Sequence, residues 1–372
     1  MDNSPPKHRI LTLLKALKEA SRDLTTTTNP FSSLFKPPID TLLDLETKAL
    51  ATFSTDPNLR NLSNLLVSLR TLIENLDKLQ GYGLPSLLRR HLTNYKISHL
   101  ARSVESEAQA CIDRITVEDL VHTLQGPSEE EEQVKVLVEF RQRLSQGFDL
   151  GFQDLVLRAK VFTLLECMLF ERSSLKRVQE EAAMVLAALV KFNKNVFVGL
   201  VLMGPTIKAL LAMGSGCSIK VLSSLISFIR SPLVDEILCS GEIPTIVGFL
   251  RSRDLEVRLA ALDCVLELGY IGRREVVEAI LQEGLVKILL DLQRSEGDVG
   301  EENREEGKLG NCDFGFESCV SRFAIQVEVG EGLSPEEKGE VKLEILRMVK
   351  EASMSDAEAA TVCAEILWGS SP

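Results

Sequence analysis

The sequence has few of the residues and motifs from which catalytic and metal sites are usually built. Its 372 residues include four histidines, one tryptophan and eight cysteines, and no two cysteines form a Cys-x-x-Cys pair. A glycine-rich phosphate loop, a His-Glu-x-x-His motif and an acidic metal-binding loop are all missing. We therefore expect a protein that is not an enzyme, with no catalytic residue, no cofactor and no metal ion.

Long apolar runs are missing as well. No stretch of about 20 uninterrupted apolar residues occurs, because the best candidate, 195–214, contains Pro205 and Lys208. The uncharged run 10–14 near the start is too short for the apolar part of a secretory leader. Cysteines without metal-ligand spacing favour buried free thiols in a reducing compartment. We therefore expect a cytoplasmic protein without an integral membrane span, and leave the nucleus open as a second location.

The acidic charge of the chain is concentrated in its second part. Residues 1–126 hold 15 lysines and arginines and 14 acidic residues, whereas the rest holds 27 and 40. Binding to nucleic acid without regard to sequence needs clustered cations that displace counterions. The charge distribution therefore predicts that nucleic acid is not a partner.

What the chain does contain is helical patterning. Leucine, isoleucine and valine recur at three- and four-residue intervals, whereas strand signals are scarce. This spacing is typical of amphipathic helices and predicts an all-α fold. In residues 1–115, clusters of proline, glycine and asparagine separate the helical patterns, as in the loops of a helical bundle. The predicted bundle helices are 7–24, 39–53, 59–79 and 84–107.

From Thr116 onward the pattern repeats. The segment Thr116-Val117-Glu118-Asp119 has the spacing of a capping box and predicts a helix start. Downstream, a β-branched residue opens one helix of each unit at intervals of 44, 41, 38 and 63 residues. Without a polar, acidic insertion at 295–311, the last interval also fits the period of about 40–47 residues of armadillo and HEAT units. The β-branched residues are Val134, Val178, Ile219, Val257 and Val320.

Two segments resemble parts of an armadillo repeat. SGEIPTIVGFL, at 240–250, is similar to the glycine-led opening of the repeat, and VQEEAAMVLAALV, at 178–190, is similar to its third helix. MGPTIKALL and EGLVKILL are looser copies of the opening segment. A long helical region ahead of such repeats resembles the plant U-box/armadillo proteins. The U-box itself is missing, because 111–117 leaves no room for it between bundle and repeats.

The resemblance implies an architecture and a mode of action. We expect an N-terminal helical bundle at 1–115, an armadillo-type α-α superhelix of about five units at 116–330, and C-terminal capping helices at 331–372. The implied function is that of a non-enzymatic scaffold or adaptor, which binds a protein on the concave surface of the superhelix. Two alternatives stay open: a ubiquitin-pathway component related to U-box/armadillo ligases, and a nuclear-transport or membrane-peripheral adaptor, suggested in part by Arg89-Arg90.

The groove of the superhelix provides the candidate binding residues. Import adaptors with this fold hold a basic peptide through a tryptophan and, four residues later, an asparagine on successive third helices. The equivalent positions here contain neither, and the one tryptophan is Trp368. They run instead from apolar to acidic, which predicts a partner with an apolar helix or extended segment and a basic flank. The alternative is that Met184 and Leu225 only fill the seam between repeats. The six positions are Met184, Ala188, Leu225, Ile229, Asp263 and Glu267.

A well-marked pair of helices ends the sequence. Ser334-Pro335-Glu336-Glu337 combines an N-cap, a first-turn proline and a capping-box glutamate, and predicts a helix to about residue 352. A second helix is predicted to end near Trp368, whose side chain we expect to anchor the cap. The residues expected to face inward are Val341, Leu343, Ile345, Leu346 and Val349.

Overall fold

The described part of the protein is entirely helical. The computed structural model describes residues 6–26, 43–44, 47, 59–78, 84–170, 175–300 and 316–368, and these residues form no strand. The predicted all-α class is therefore confirmed for them. The helices are α1 Pro6–Thr26, α2 Arg60–Lys78, α3 Leu84–Gln125, α4 Glu130–Ser145, α5 Leu150–Arg158, α6 Val161–Phe170, α7 Lys176–Phe192, α8 Lys194–Met203, α9 Thr206–Met213, α10 Gly216–Ile229, α11 Ser231–Cys239, α12 Ile243–Phe249, α13 Leu255–Ile271, α14 Arg274–Gln282, α15 Leu285–Gly300, α16 Cys319–Val329, α17 Pro335–Ala352 and α18 Asp356–Trp368.

Two sequence-based predictions fall largely outside these ranges. The helix expected at 39–53 is described only at residues 43, 44 and 47. The acidic loop insertion expected at 295–311 is described only at 295–300, and these residues continue helix α15, so the loop prediction is wrong for them. Among the described helices, none is by itself long and apolar enough to cross a membrane. The adjacent helices α8 and α9 reach that length and hydropathy only together, and they meet at a bend of 71°.

The chain divides into two compact units. The first contains Met1–Pro127 and Asp149–Val161, and the second contains Ser128–Phe148 and Phe162–Pro372. In the first unit, α1, α2 and α5 each pack against the long helix α3. The core that they share is aliphatic and includes Leu14, Leu17, Leu62, Leu66, Ile97, Ala101 and Val104.

The helix start predicted at Thr116 is wrong. Helix α3 is continuous over 42 residues and passes through this position. The Thr116 hydroxyl donates a hydrogen bond to the carbonyl oxygen of Ile112, at 2.9 Å, as threonines inside helices often do. Val117 and Leu120 then continue the buried stripe. A capping-box spacing therefore occurs here without a helix end, because the threonine side chain is satisfied by the preceding turn.

The second unit is built on a row of stacked helices, which we call the spine: α4, α7, α10, α13 and α16. Each spine helix packs against the next one along the chain. Two further helices stand between consecutive spine helices from α7 to α16, so a three-helix unit recurs, about every 40 residues from α7 to α13, as in armadillo arrays. The predicted armadillo-type solenoid is thus confirmed. The five β-branched residues that marked the period are all buried in the spine: Val134, Val178, Ile219, Val257 and Val320.

Three glycines lie at the starts of the glycine-led segments of the repeats. Gly241 and Gly284 have φ angles of 72° and 74°, a left-handed conformation that glycine adopts without strain. Gly204 has extended backbone, but a Cβ atom there would lie 2.6 Å from the backbone carbonyl oxygen of Leu200. Each of these three glycines is therefore required by its local geometry.

The predicted start of the C-terminal helix pair is confirmed, but two side chains that were predicted to face inward are exposed. The backbone N–H of Glu337 donates to Ser334 Oγ at 3.3 Å, and the Ser334 N–H donates to Glu337 Oε2 at 2.8 Å. Val341, Ile345 and Val349 are buried at a spacing of four residues. Leu343 points about 200° away from Val341 around the helix and is 69% exposed. Trp368, which was expected to anchor the cap, is 86% exposed at the end of α18.

We expect the reciprocal cap at Ser334 to contribute measurably to stability. Replacing Ser334 with alanine should lower the free energy of unfolding by about 0.5–2 kcal/mol, the usual cost of losing an N-cap hydroxyl. The pKa of Glu337 is lowered by its hydrogen bonds with Ser334. Its contribution is therefore present above the ordinary carboxyl pKa and is lost as the pH falls through the folded value. Urea titrations of S334A and E337Q check both effects; a neutral-pH midpoint equal to wild type would contradict them.

Candidate partner-binding surface

The buried residues of the spine helices fix how the repeats align. The same pattern of buried positions recurs 40 residues later between α7 and α10, and 39 residues later between α10 and α13. Between α13 and α16 it recurs after 59 residues, because the insertion intervenes. The matched residues are Val185, Leu186 and Leu189 on α7; Leu225, Ile226 and Ile229 on α10; Cys264, Val265 and Leu268 on α13; and Phe323, Ala324 and Val327 on α16.

This alignment changes two of the six groove positions predicted from sequence. Leu225 and Ile229 are buried at 0% and 1% exposure, so their side chains face neighbouring helices and offer no surface to a partner. The sequence alignment matched Val178 with Ile219, which lies one residue out of register. One residue rotates a side chain by about 100° around the helix axis. The positions on α10 that correspond to Met184 and Ala188 are therefore Ser224 and Phe228.

The corrected positions define what we call the spine face, the exposed side of α7, α10, α13 and α16. It carries Met184 and Ala188 on α7, Ser224 and Phe228 on α10, Asp263 and Glu267 on α13, and Arg322 and Gln326 on α16. All of these side chains are exposed or half-buried. The face thus runs from apolar to acidic and then to basic along the array. The sequence identified four of these residues, and the burial pattern of α10 and α16 supplies the other four.

The apolar part of the spine face centres on Phe228. This ring is 38% exposed, next to the half-buried side chains of Met184 and Ala188 on the preceding spine helix. The Lys191 ammonium group lies 5.8 Å from the ring centroid, within the range of a cation–π interaction. The ring is thus approached by one side chain of α7 and stays partly open to solvent. This arrangement provides an apolar contact point for a partner side chain.

The acidic part consists of two carboxylates one turn apart on α13. Burial raises the pKa of Asp263, although Arg322 and Lys220 act in the opposite direction. The pKa of Glu267 is also raised, first by burial and then by the negative charge of Asp263, while Arg230 lowers it. Each carboxylate is therefore ionised at an energetic cost in the protein alone. A cation from a partner would remove part of that cost.

Of the three cations that act on this pair, Arg322 belongs to the spine face itself, whereas Lys220 and Arg230 have other acidic partners. Lys220 Nζ lies 3.1 Å from Glu256 Oε1. Arg230 forms an ion pair with Glu331 and stacks over the Tyr270 ring at 6.0 Å from its centroid. Because these positive charges already have acidic partners, they neutralise Asp263 and Glu267 only in part. The spine face therefore keeps a negative site beside its apolar contact point.

Nearby thiols do not have the properties of a nucleophile. Burial and neighbouring carboxylates raise the pKa of Cys217, and burial raises that of Cys264, whose thiol also donates to the Ile219 carbonyl oxygen at 3.4 Å. Thiols of this kind hold their proton at neutral pH and react slowly. Among the described residues, histidine, cysteine, aspartate and glutamate form no group of three that could hold a metal ion.

Comparison with known proteins gives structural likenesses only. No family model matches the chain, and no curated protein matches it in sequence. A designed armadillo repeat protein is 17% identical over 67% of this chain and 99% of its own, with a TM-score of 0.45. A designed armadillo repeat protein in complex with the peptide (KR)4 is 18% identical over 68% and 98%, also at 0.45. An engineered protein from the Northeast Structural Genomics Consortium is 17% identical over 95% of this chain and 77% of its own, at 0.46.

The corrected register predicts opposite effects for adjacent residues. Replacing Leu225 with alanine should destabilise the second unit by about 2–5 kcal/mol, because it leaves a cavity in the seam. Replacing Ser224 with alanine should change stability by less than about 0.5 kcal/mol, as expected at an exposed position. Thermal or urea unfolding of the two variants measures the difference. Equal costs would show that Leu225 is not the residue in the seam.

The acidic pair should destabilise the protein at neutral pH. Because the folded pKa values of Asp263 and Glu267 are raised, their cost is absent below the ordinary carboxyl pKa and complete above the folded values. The double variant D263N/E267Q should therefore have a higher free energy of unfolding at neutral pH. The gain should be no smaller than the cost of a like-charge pair one turn apart, about 0.2–0.5 kcal/mol. The gain should shrink as the pH falls toward about 4. A variant less stable than wild type at neutral pH would contradict this expectation.

Proposed function

We propose that the protein is a non-enzymatic scaffold that captures a segment of another protein on the spine face, across α7, α10 and α13. The observation that carries the proposal is the acidic pair Asp263 and Glu267, whose pKa values are raised, on the spine helix that follows the one carrying the exposed ring of Phe228. Groups with perturbed pKa values cluster at functional sites. A surface selected only for stability would replace these carboxylates with neutral side chains.

The geometry of the face supports a particular partner chemistry. An apolar side chain of the partner would pack on Phe228, Met184 and Ala188, and a lysine or arginine would pair with Asp263 and Glu267. Neighbouring helix axes are about 8–10 Å apart. In an extended segment that distance corresponds to about three residues, and in a helix to about six. The two side chains must also point to the same side, which requires an even spacing in an extended segment and a spacing of about seven in a helix over this length. The expected partner segment therefore has a basic residue two or four positions from an apolar one if extended, or seven if helical.

Charge and apolar contact would have separate roles in this complex. The acidic pair would attract a basic segment and fix its direction along the face, since complementary charge governs encounter and register. Burial of an apolar side chain against Phe228 would supply most of the affinity, because interface energy concentrates in a few desolvated contacts. The related predictions, of a U-box-type ubiquitin-pathway role or of nuclear-transport activity, rest on the sequence resemblance alone.

A display experiment with the full chain tests the proposal. A peptide library would be selected for binding to the wild-type protein and counter-selected against D263K/E267K. We expect the enriched peptides to combine basic and apolar residues at the spacings given above, and to bind the double variant at least about tenfold more weakly. F228S should also weaken them, but without changing how their affinity depends on salt.

The matched control changes the same charge at a distance from the spine face. E275K/E283K alters two exposed glutamates at the two ends of α14 and should bind the enriched peptides like wild type. Binding that survives D263K/E267K unchanged would reject the spine face as the site. A library from which the wild-type protein enriches no peptide would count against peptide capture itself.

A further inference from the structure

Residues 88–96 of α3 add no fully buried side chain to the core of the N-terminal unit, among the side chains that the structure describes. Of the described side chains on this helix, Ile97 is the first in the buried core, and Ala101, Val104 and Ala108 follow it. Between residues 88 and 96, every side chain that the structure describes is exposed or half-buried. This part of the helix therefore contributes little to holding the bundle together, and its exposed residues need another explanation.

The exposed residues form an apolar ridge. Leu88, Leu92 and Tyr95 are 70%, 56% and 68% exposed. At about 100° per residue they lie within about 60° of one another around the helix axis, on the side opposite the buried Ile97. Three large apolar side chains in one line, pointing away from the core, are unusual on a surface that only meets water.

Positive charge borders the ridge on both sides. Arg89 and Lys96 lie along one edge and Arg102 lies along the other, and all three are exposed. The segment 84–104 contains four lysines and arginines and no acidic residue, in a chain whose net charge is −12. On the preceding helix α2, the negative charge of Glu74 is already paired, since Arg70 Nε lies 3.0 Å from Glu74 Oε1. The ridge therefore lies in a basic strip within an acidic protein.

We propose that the exposed side of α3, residues 88–102, is a peripheral binding site for a lipid bilayer with anionic headgroups. An apolar line flanked by cations is the pattern of helices that lie in the membrane interface, with apolar side chains at the acyl boundary and cations among the phosphates. The ridge projects, and exposed side chains border it on both sides. A bilayer accommodates such a ridge, whereas a protein partner would have to supply a matching acidic groove. The proposal rests on the first unit alone and is independent of the spine face.

Vesicle flotation of the full chain tests this site. We expect the wild-type protein to float with vesicles of phosphatidylcholine and phosphatidylserine but not with phosphatidylcholine alone, and to float less as salt increases. R89E/K96E should weaken binding to the anionic vesicles by at least about tenfold, since each cation near such a surface contributes to the attraction. L88S/L92S/Y95S should have an effect of similar size, because it removes the apolar contact.

Two matched controls separate the site from general effects. L343S/M354S removes exposed apolar side chains from the second unit, and R253E/K287E reverses exposed charges there; both should bind vesicles like wild type. Circular dichroism should give all variants the wild-type helix content, since every altered side chain is exposed.

Several results would overturn the proposal. These are no flotation of the wild-type protein, equal flotation with both vesicle types, or unchanged flotation of both α3 variants. Light scattering of the full chain tests the other occupant, a second copy of this chain. A concentration-dependent dimer that L88S/L92S/Y95S abolishes would make the ridge a self-association surface and reject the membrane site.

Discussion

The seam between consecutive spine helices decides what the second unit can offer to a partner. Each of these helices buries the side of its surface that faces its neighbours, through aliphatic side chains that exclude water almost completely. At the junction of α13 and α16, a Cβ atom on Gly269 would lie 2.8 Å from the Phe323 ring, so the two helices approach as closely as a glycine allows. Whatever remains outside the seam is the surface left for a partner, and its composition follows from the rotation of each helix.

That rotation explains which parts of the structure could be predicted from the sequence. The period was readable because one β-branched residue per unit must be buried at the start of each spine helix. The cap at Ser334 was readable because its hydrogen bonds are made within four residues. The register of α10 could not be predicted, because Ser218 and Ile219 are both buried and the sequence does not show which of them matches Val178. An error of one residue moved the predicted site into the seam.

Two other predictions were wrong because a local sequence pattern does not show which helices pack around it. The capping spacing at Thr116 occurs inside a helix whose buried stripe continues on both sides, and only the packing of α3 reveals that continuity. Trp368 was expected inside because tryptophan is large and apolar, yet it lies at the end of the last helix, where no later element covers it among the described residues. Likewise, the sequence identifies Asp263 and Glu267 as acidic, but the cost of ionising them depends on burial by neighbouring helices.

The stacking described for the spine also sets how the array can change in length. Since each spine helix packs mainly against the one before and the one after it, adding or removing a whole unit leaves the remaining seams intact. The polar insertion between α15 and α16 follows the same logic, because it lengthens a connection while Val320 keeps its place in the row. Duplication of a unit would therefore extend the proposed binding surface by one spine helix, so the array could be matched to longer or shorter partner segments without a change to its interior.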